Sequence, residues 1–286
     1  MGRRLADLFY GRPRLQAGAL LSGPVGWLVI AYLGSLAVLF VASFWHLDDF
    51  TSEIERGFSL ENFETLVNED VYRSIAARTI GVAALVTITD AILAFPIAFF
   101  MAKVASSRVK AILVVAVLMP LWSSYLVKVY AWRTILSEEG ALNWALDPIG
   151  VSVPDGDIFR LWLVMSYLWL PFMVIPIYAG LERIPDTLLS ASEDLGARPG
   201  TTFRRVILPL AFPAVVAGSI FTFSLTLGDF IAPTLVSSTQ FIGNVVYTNV
   251  GVANNLPLAA AFATVPVVVM ILYLLIARRL GAFEQL

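Results

Sequence analysis

Four long stretches of the chain contain no charged residue: residues 24–44, 161–181, 206–228 and 230–277. About 20 apolar residues are enough for a helix to cross the hydrocarbon core of a bilayer. Because unpaired backbone groups cannot face lipid, a spanning segment must be a helix or part of a closed barrel. A barrel strand would show alternating polarity over roughly 10 residues, and these stretches do not alternate. The sequence therefore predicts a helical membrane protein.

The composition excludes several classes of function. The chain is 58% hydrophobic and only 14% charged, whereas soluble domains carry about 25% charged residues. It has no cysteine, which excludes disulfide and thiol chemistry, and its one histidine, His46, belongs to no cluster with metal-ligand spacing. Asp90 and Asp229, the nominal pair for an intramembrane protease, are predicted at different depths. We therefore expect neither a catalytic site nor a metal site.

The apolar runs predict six transmembrane helices. They cover about residues 24–45, 75–102, 111–132, 159–181, 206–228 and 259–277. We assign residues 1–16 to a cytoplasmic N-terminal segment and residues 17–286 to a single transmembrane domain. The first run is longer than the apolar region of a signal peptide and lacks a convincing cleavage site, so we predict that it is an uncleaved span.

The distribution of charge predicts the orientation. With both termini in the cytoplasm, 13 of the 19 Lys and Arg residues fall in inner segments, as the positive-inside rule requires. Thirteen of the 21 acidic residues then lie outside, mostly in residues 48–70 and 138–157. They either form a negative mouth that concentrates a cationic solute or are simply tolerated there, because acids contribute little to orientation.

Two outer segments have a pattern of their own. In residues 59–72, Ser59 can cap a helix, and apolar residues recur at helical spacing from Leu60 to Val67. We predict a short helix on the outer surface. Residues 230–257 are uncharged but rich in Gly, Asn, Ser and Thr, which fits a broken or re-entrant segment buried in protein better than a plain span.

A polar island follows the fourth predicted span, in residues 182–209. Pro185 and Asp186 suit the start of a helix, and Gly196 suits the left-handed position that closes one. We predict a helix over residues 186–195, about 15 Å long, on the cytoplasmic side of the membrane. Its apolar residues either lie back on the membrane or enter a groove on another protein.

This island resembles the EAA loop of ABC importer permeases. Residues 190–192 (Ser-Ala-Ser) stand at the Glu-Ala-Ala positions, Gly196 at the motif glycine, and residues 206–209 (Val-Ile-Leu-Pro) follow at the motif spacing. The chain departs from the motif at Ser190, where the family usually has Glu, and at Ser192, where it has Ala. Longer stretches, among them FPIAFFMAKV and LGDFIAPTLV, resemble the first permease subunit of spermidine–putrescine importers.

The resemblance implies an all-α, type I ABC importer permease-like bundle of six transmembrane helices in the bacterial inner membrane. In that family the loop forms a coupling helix that sits in a cleft of the ATP-hydrolysing subunit. The residues expected to contact that subunit are Asp186, Leu188, Leu189, Ala191, Ser192, Glu193, Leu195 and Gly196. The implied partners are two ATP-binding subunits, a second related permease, an extracytoplasmic solute-binding protein and a small solute, without nucleic acid.

The chain carries no nucleotide site of its own. The phosphate-binding motif G-x-x-x-x-G-K-[ST] needs a Gly-Lys pair, and the sequence contains none. We therefore expect no cofactor in this chain, with ATP and Mg²⁺ bound by a partner subunit that drives alternating access. The alternative is a stand-alone ion-coupled secondary transporter, for which Asp90 is the candidate coupling site.

Polar and aromatic residues inside the spans mark a candidate solute pathway, because charges in hydrocarbon are costly and usually functional or paired. The pathway residues that we predict are Asp90, Trp122, Tyr125, Lys128, Trp169 and Asp229. Lys128 and Asp229 either pair to hold two helices together, or Asp229 faces a cavity and meets a solute cation. Asp90 has no evident partner and is expected to face a cavity. Trp122 could hold an ammonium through a cation–π contact of roughly 0.5–2 kcal/mol.

Overall fold

The computed structural model describes residues 13–48 and 50–279, without the side chains of residues 13–16 and 19. Most of the predicted N-terminal segment, residues 1–16, lies outside the described residues. Arg3, Arg4 and Arg12, which contribute to the predicted orientation, lie outside them too.

The described chain is almost entirely helical. The helices are α1 Pro13–Leu28, α2 Gly34–Ala42, α3 Glu61–Asn68, α4 Asp70–Phe99, α5 Ser107–Trp122, α6 Tyr125–Ile135, α7 Ala141–Leu146, α8 Asp157–Glu182, α9 Asp186–Asp194, α10 Pro199–Thr202, α11 Leu208–Gly228, α12 Ile231–Val236, α13 Ile242–Gly251 and α14 Leu256–Arg279. π-Helical turns at Val29–Leu33, Phe100–Val104 and Phe203–Ile207 continue α1, α4 and α10, and Asp147–Ile149 forms a 3₁₀ turn. The strands β1 His46–Leu47 and β2 Ile54–Glu55 make one small antiparallel pair.

Five helical segments of the described chain are long and apolar enough to cross a membrane: Leu20–Ala42, Asp70–Val104, Asp157–Glu182, Pro199–Gly228 and Leu256–Arg279. The third predicted span, residues 111–132, is not one straight helix. It consists of α5 and α6, which meet at an angle of 94°. The backbone is extended at Ser123 and Ser124, so the helical hydrogen bonds stop there. Six spans result only if this bent pair counts as one.

The core lies where α4, α8 and α11 pack against one another. Small residues allow these helices to approach closely, as expected for helix packing in membranes. A Cβ atom on Gly218 of α11 would lie only 3.1 Å from the carbonyl oxygen of Met173 on α8, and one on Gly180 would collide with Ala214. The buried residues Ala94 and Ala98 of α4 complete the same packing layer.

The outer segments follow the predictions in outline. Helix α3 begins at Glu61, one residue later than a cap at Ser59 implies, and its first backbone N–H donates to the Ser59 hydroxyl at 3.2 Å. Leu66 is buried against α13 and α14, whereas Val67 is exposed. Residues 230–257 form the short helices α12 and α13 with irregular backbone between them, which confirms the prediction of a broken segment.

Candidate functional site

Helix α9 follows α8 directly and lies outside the packed spans. None of its residues is buried. Leu188 is 43% exposed, and Leu195, just after the helix, is 88% exposed. Because a soluble helix normally turns such residues into a core, exposed leucines on a short polar helix are typical of a surface that another protein covers. The structure thus confirms the predicted helix, which ends one residue earlier than expected, at Asp194.

The start of α9 is held by a lysine from another span. Lys103, at the C-terminal end of the α4 span, donates to the backbone oxygen of Ile184 at 2.6 Å and to Asp186 at 2.7 Å. The Lys103 side chain is only 10% exposed. The hydrogen bond and charge of Lys103 lower the pKa of Asp186 below its ordinary value. This contact fixes the first residue of α9 to a helix that is distant in the sequence.

The far end of α9 is held as well. The hydroxyls of Ser192 and Thr202 are 2.9 Å apart, which joins α9 to α10 at the start of the fifth span. Gly196 has a φ of 74° and closes the helix in the left-handed region, as predicted. Its N–H donates to the backbone oxygen of Glu193, and the next N–H donates to that of Ser192. The Ser192 that replaces the usual alanine therefore has a structural partner.

The structure places the predicted coupling residues on one short element, with different surroundings. Exposed residues are Asp186, Leu188, Ala191, Glu193, Leu195 and Gly196. Leu189 is half-buried against the core formed by α4, α8 and α11, and Ser192 is half-buried beside Thr202. Lys103 and Thr202 are not among the predicted coupling residues, because nothing in a linear sequence indicates that residue 103 meets residue 186.

A second polar region lies near the opposite end of the bundle. Tyr125, Trp169 and Asp229 line one cavity of about 350 Å³ together with Ser224, Leu225, Gly228, Phe230 and Ile231. The rings of Tyr125 and Trp169 are stacked, with centroids 5.9 Å apart. Three of the six predicted pathway residues therefore converge, although they come from α6, from α8 and from the turn that follows α11.

Asp229 is 9% exposed, and its carboxylate accepts hydrogen bonds from one tyrosine hydroxyl and two backbone N–H groups. The Tyr125 hydroxyl donates to one carboxylate oxygen. The other accepts the N–H groups of Ile231 at 2.9 Å and Ala232 at 3.3 Å, at the N-terminus of α12. The possible pair with Lys128 is wrong, because Lys128 instead donates to the backbone oxygen of Pro120 at 3.0 Å. Among the described residues, no Lys or Arg pairs with Asp229.

Two other predicted pathway residues lie apart from this cavity. Trp122 is the last residue of α5, immediately before the 94° bend, and is 86% exposed. Asp90 is completely buried and lines neither polar cavity near Asp229, so its orientation towards a cavity stays a prediction. It lies between Val86 and Ala94 on the face of α4 that packs into the core, and neither carboxylate oxygen has a hydrogen-bond partner in the described chain.

The matching family model is that of the binding-protein-dependent transport system inner membrane component, and it covers residues 74–283. The chain belongs to this family. The permease is 45% identical over 300 residues to the inner membrane ABC transporter permease protein YdcU of Escherichia coli (strain K12), over 99% of this chain and 95% of YdcU. It is 32% identical over 259 residues to the spermidine/putrescine transport system permease protein PotB of the same strain, over 88% and 93% of the two chains.

Two solved structures have the same fold as the permease. One is a bacterial ABC transporter that imports the acidic polysaccharide alginate, with a TM-score of 0.73 at 18% identity over 97% and 99% of the two chains. The other is the alginate transporter in complex with an alginate pentasaccharide-bound periplasmic protein, with a TM-score of 0.76 at 17% identity over 96% of each chain. At this identity the likeness concerns the fold.

These similarities confirm the predicted fold class and the predicted role. The chain is an inner-membrane permease subunit of an ABC importer, it belongs to a transport system that depends on a binding protein, and ATP hydrolysis belongs to a partner subunit.

Proposed function

We propose that this permease moves a small cationic solute of the polyamine class into the cell by alternating access. The observation that carries the proposal is the buried carboxylate of Asp229 beside Tyr125 and Trp169 in one cavity. No basic residue of the described chain neutralises it. An isolated charge within a membrane protein is costly and usually marks a solute pathway, and an ammonium group supplies the missing charge.

The aromatic rings of the cavity suit the same ligand. A ring face attracts a cation by about 0.5–2 kcal/mol, depending on how far water is excluded. Tyr125 also orients the carboxylate through its hydrogen bond, so the acid and the rings keep a fixed relation. The 32% identity to a permease named for spermidine and putrescine supports this solute class.

The proposal includes the way in which movement is driven. Two ATP-binding subunits, carrying ATP and Mg²⁺, would bind α9 of this chain and the corresponding helix of a second permease. A conformational change follows only from differential binding to the two states; here the closed ATPase dimer and the docked binding protein favour the outward-facing state. Both termini and α9 then lie in the cytoplasm, and the Asp229 cavity lies towards the periplasm.

Uptake in proteoliposomes tests the solute class. The complete complex, with binding protein and ATPase, is given labelled putrescine, spermidine, a neutral sugar and an acidic amino acid. We expect uptake of the two polyamines only, reduced at least about tenfold by Asp229→Asn, since one lost charge-assisted contact is worth about 1.4 kcal/mol or more. Glu64→Gln, an exposed outer acid on α3, is the matched control and should leave uptake unchanged. Uptake of the sugar, or full activity of Asp229→Asn, would refute the polyamine proposal.

Co-purification tests the coupling helix. Leu195→Ser should release the ATPase from the purified complex, because it removes an exposed apolar contact of the proposed docking surface without disturbing any core. Leu60→Ser, which alters a leucine 48% exposed at the outer surface, should retain the ATPase. Nucleotide-independent uptake by this chain alone would instead identify an ion-coupled carrier.

A further inference from the structure

The end of the bundle nearest the Asp229 cavity contains a second, basic pocket. It has a volume of about 350 Å³ and is lined by Arg133, Leu136, Ser137, Arg160 and residues 234–238. We call it the outer arginine pocket. Arg133 belongs to the last turn of α6, Arg160 to the first turn of α8, and residues 234–236 to the last turn of α12. The two guanidinium groups therefore lie where α6 and α12 end and α8 begins.

The two arginines are incompletely paired. Arg133 has no hydrogen bond or ion pair with any residue that the structure describes. Arg160 donates from Nη2 to Asp155 at 2.9 Å, but its Nε–H is buried and has no acceptor in the described chain. Buried donors are nearly always satisfied, and an orphan indicates a missing ligand or water.

The acidic side chains nearby do not fill the pocket. Asp155 is 86% exposed and does not line it. Asp157 is engaged elsewhere, because it accepts the backbone N–H of Ser238 at 2.8 Å and the hydroxyls of Ser238 and Thr239. Asp155 pairs with Arg160, and Asp157 also interacts with the charge of Arg160, so the positive charge that a further anion can neutralise is that of the exposed Arg133.

The chemistry of the pocket selects a carboxylate. Guanidinium groups bind carboxylates through two parallel hydrogen bonds, which gives both strength and orientation. The solute that we propose is a cation, so two arginines would repel it. The permease works with a periplasmic binding protein, and that partner must contact this end of the bundle if the orientation under Proposed function is correct.

We infer that the outer arginine pocket receives an Asp or Glu side chain of the solute-binding protein. Helices α6, α8 and α12 contribute residues to both this pocket and the solute cavity. Arg133 lies about 12 Å from Tyr125 along α6, and Arg160 about 14 Å from Trp169 along α8, at 1.5 Å per residue. A carboxylate docked here places the binding protein above the cavity that its solute enters.

A lipid phosphate is the competing occupant, because arginines at a membrane interface can hold headgroups. The position of the pocket favours a protein side chain. It lies at the ends of three helices rather than along their sides, and its floor includes Leu136, which is 1% exposed and belongs to the core.

The first measurement is the affinity of the purified solute-binding protein for the complete transport complex in nanodiscs, by biolayer interferometry. We expect Arg133→Gln to weaken binding about tenfold, the double variant with Arg160→Gln to weaken it further, and the salt dependence of binding to become shallower. Arg73→Gln is the matched control, since Arg73 lies on the same side and pairs with an exposed acid, Asp70. The control should bind within about twofold of the wild type.

A charge exchange separates docking from misfolding. Arg133→Glu should abolish binding while thermal stability and basal ATPase activity persist. Lysine substitution of one acidic residue on the docking face of the binding protein should restore it. Unchanged affinity in the double variant would overturn the inference. Loss of a bound phospholipid in native mass spectrometry, with affinity unchanged, would assign the pocket to lipid and overturn it too. Because affinity is measured without transport, the inference can fail or hold independently of the polyamine proposal.

Discussion

The region around Asp229 and helix α9 differ in how far their polar groups are buried. Around Asp229, the carboxylate is buried and its partners, Tyr125 and the start of α12, form one compact unit. At α9 the polar groups are exposed, and the helix is tied by Lys103 to one span and by Thr202 to another. The hydrogen bonds around Asp229 keep its carboxylate in one fixed orientation. Helix α9 is bonded to two other spans, so under the proposed mechanism a displacement of α9 would be passed on to both.

The largest effect on stability is expected in the outer region. Asp229→Ala removes the acceptor of three donors, the Tyr125 hydroxyl and the N–H groups of Ile231 and Ala232. Unsatisfied buried donors cost about 1–3 kcal/mol each when they cannot reach water, so with three donors we expect a loss of at least about 3 kcal/mol in the free energy of unfolding, measured in mixed micelles. Asp229→Asn keeps an acceptor oxygen and should lose less. Equal losses in the two variants would show that charge, not hydrogen bonding, determines stability there.

A smaller loss of stability is expected where Lys103 joins the α4 span to the start of α9. Lys103→Met leaves the carbonyl of the buried Ile184 without its donor, at a cost of about 1–2 kcal/mol, whereas the exposed Asp186 can bond to water instead. The more informative result is functional, since the number of solute molecules moved per ATP hydrolysed should fall as α4 ceases to follow α9. The control is Lys110→Met, which breaks a pair with the half-exposed Glu182 and should change the ratio less. If both variants keep the wild-type ratio, Lys103 is not a mechanical link.

Substitution of Gly196, which follows the end of α9, should lower stability even less. Gly196→Ala places a side chain in the left-handed region, at a φ of 74°, which costs about 1 kcal/mol. Beyond its two chain neighbours, a Cβ atom here would meet no atom of the described residues within 4 Å, so the variant tests backbone strain alone. Thermal unfolding should therefore show a small decrease in midpoint. A loss of ATPase binding at unchanged stability would show that the ATPase contacts this glycine directly.

The smallest effect is the pH dependence of the Lys103–Asp186 pair. Lys103 lowers the pKa of Asp186 below 3.8. A group with a lowered folded-state pKa stabilises the fold above its unfolded-state value and loses that contribution as the pH falls through the folded value. The difference in melting temperature between wild type and Asp186→Asn should thus be constant near neutral pH and shrink below the ordinary pKa. A difference that grows on acidification would contradict the pairing.

Periodicity and local signals in the sequence predict most of the fold. Uncharged runs identify the spans because lipid imposes a length and a polarity, and Gly196 identifies the end of α9 because few other residues adopt its conformation. The bend between α5 and α6 was only partly predictable, since Pro120 and two serines indicate a break but not its angle. The site was harder to predict. Composition and depth bring Lys128 and Asp229 to a similar level, yet which side chains meet depends on helix rotation and on competing backbone acceptors, such as Pro120.

The two ties of α9 have a consequence for protein engineering. A chimaera that transplants residues 182–209 into another permease carries Ser192 and Thr202 together, but leaves Lys103 behind. If α9 binds the ATPase as proposed, the grafted segment would keep that surface, but its first turn would lack the hydrogen bonds that Lys103 donates. A loop exchange that keeps both contacts of α9 must therefore also transfer Lys103, at the C-terminal end of the second span.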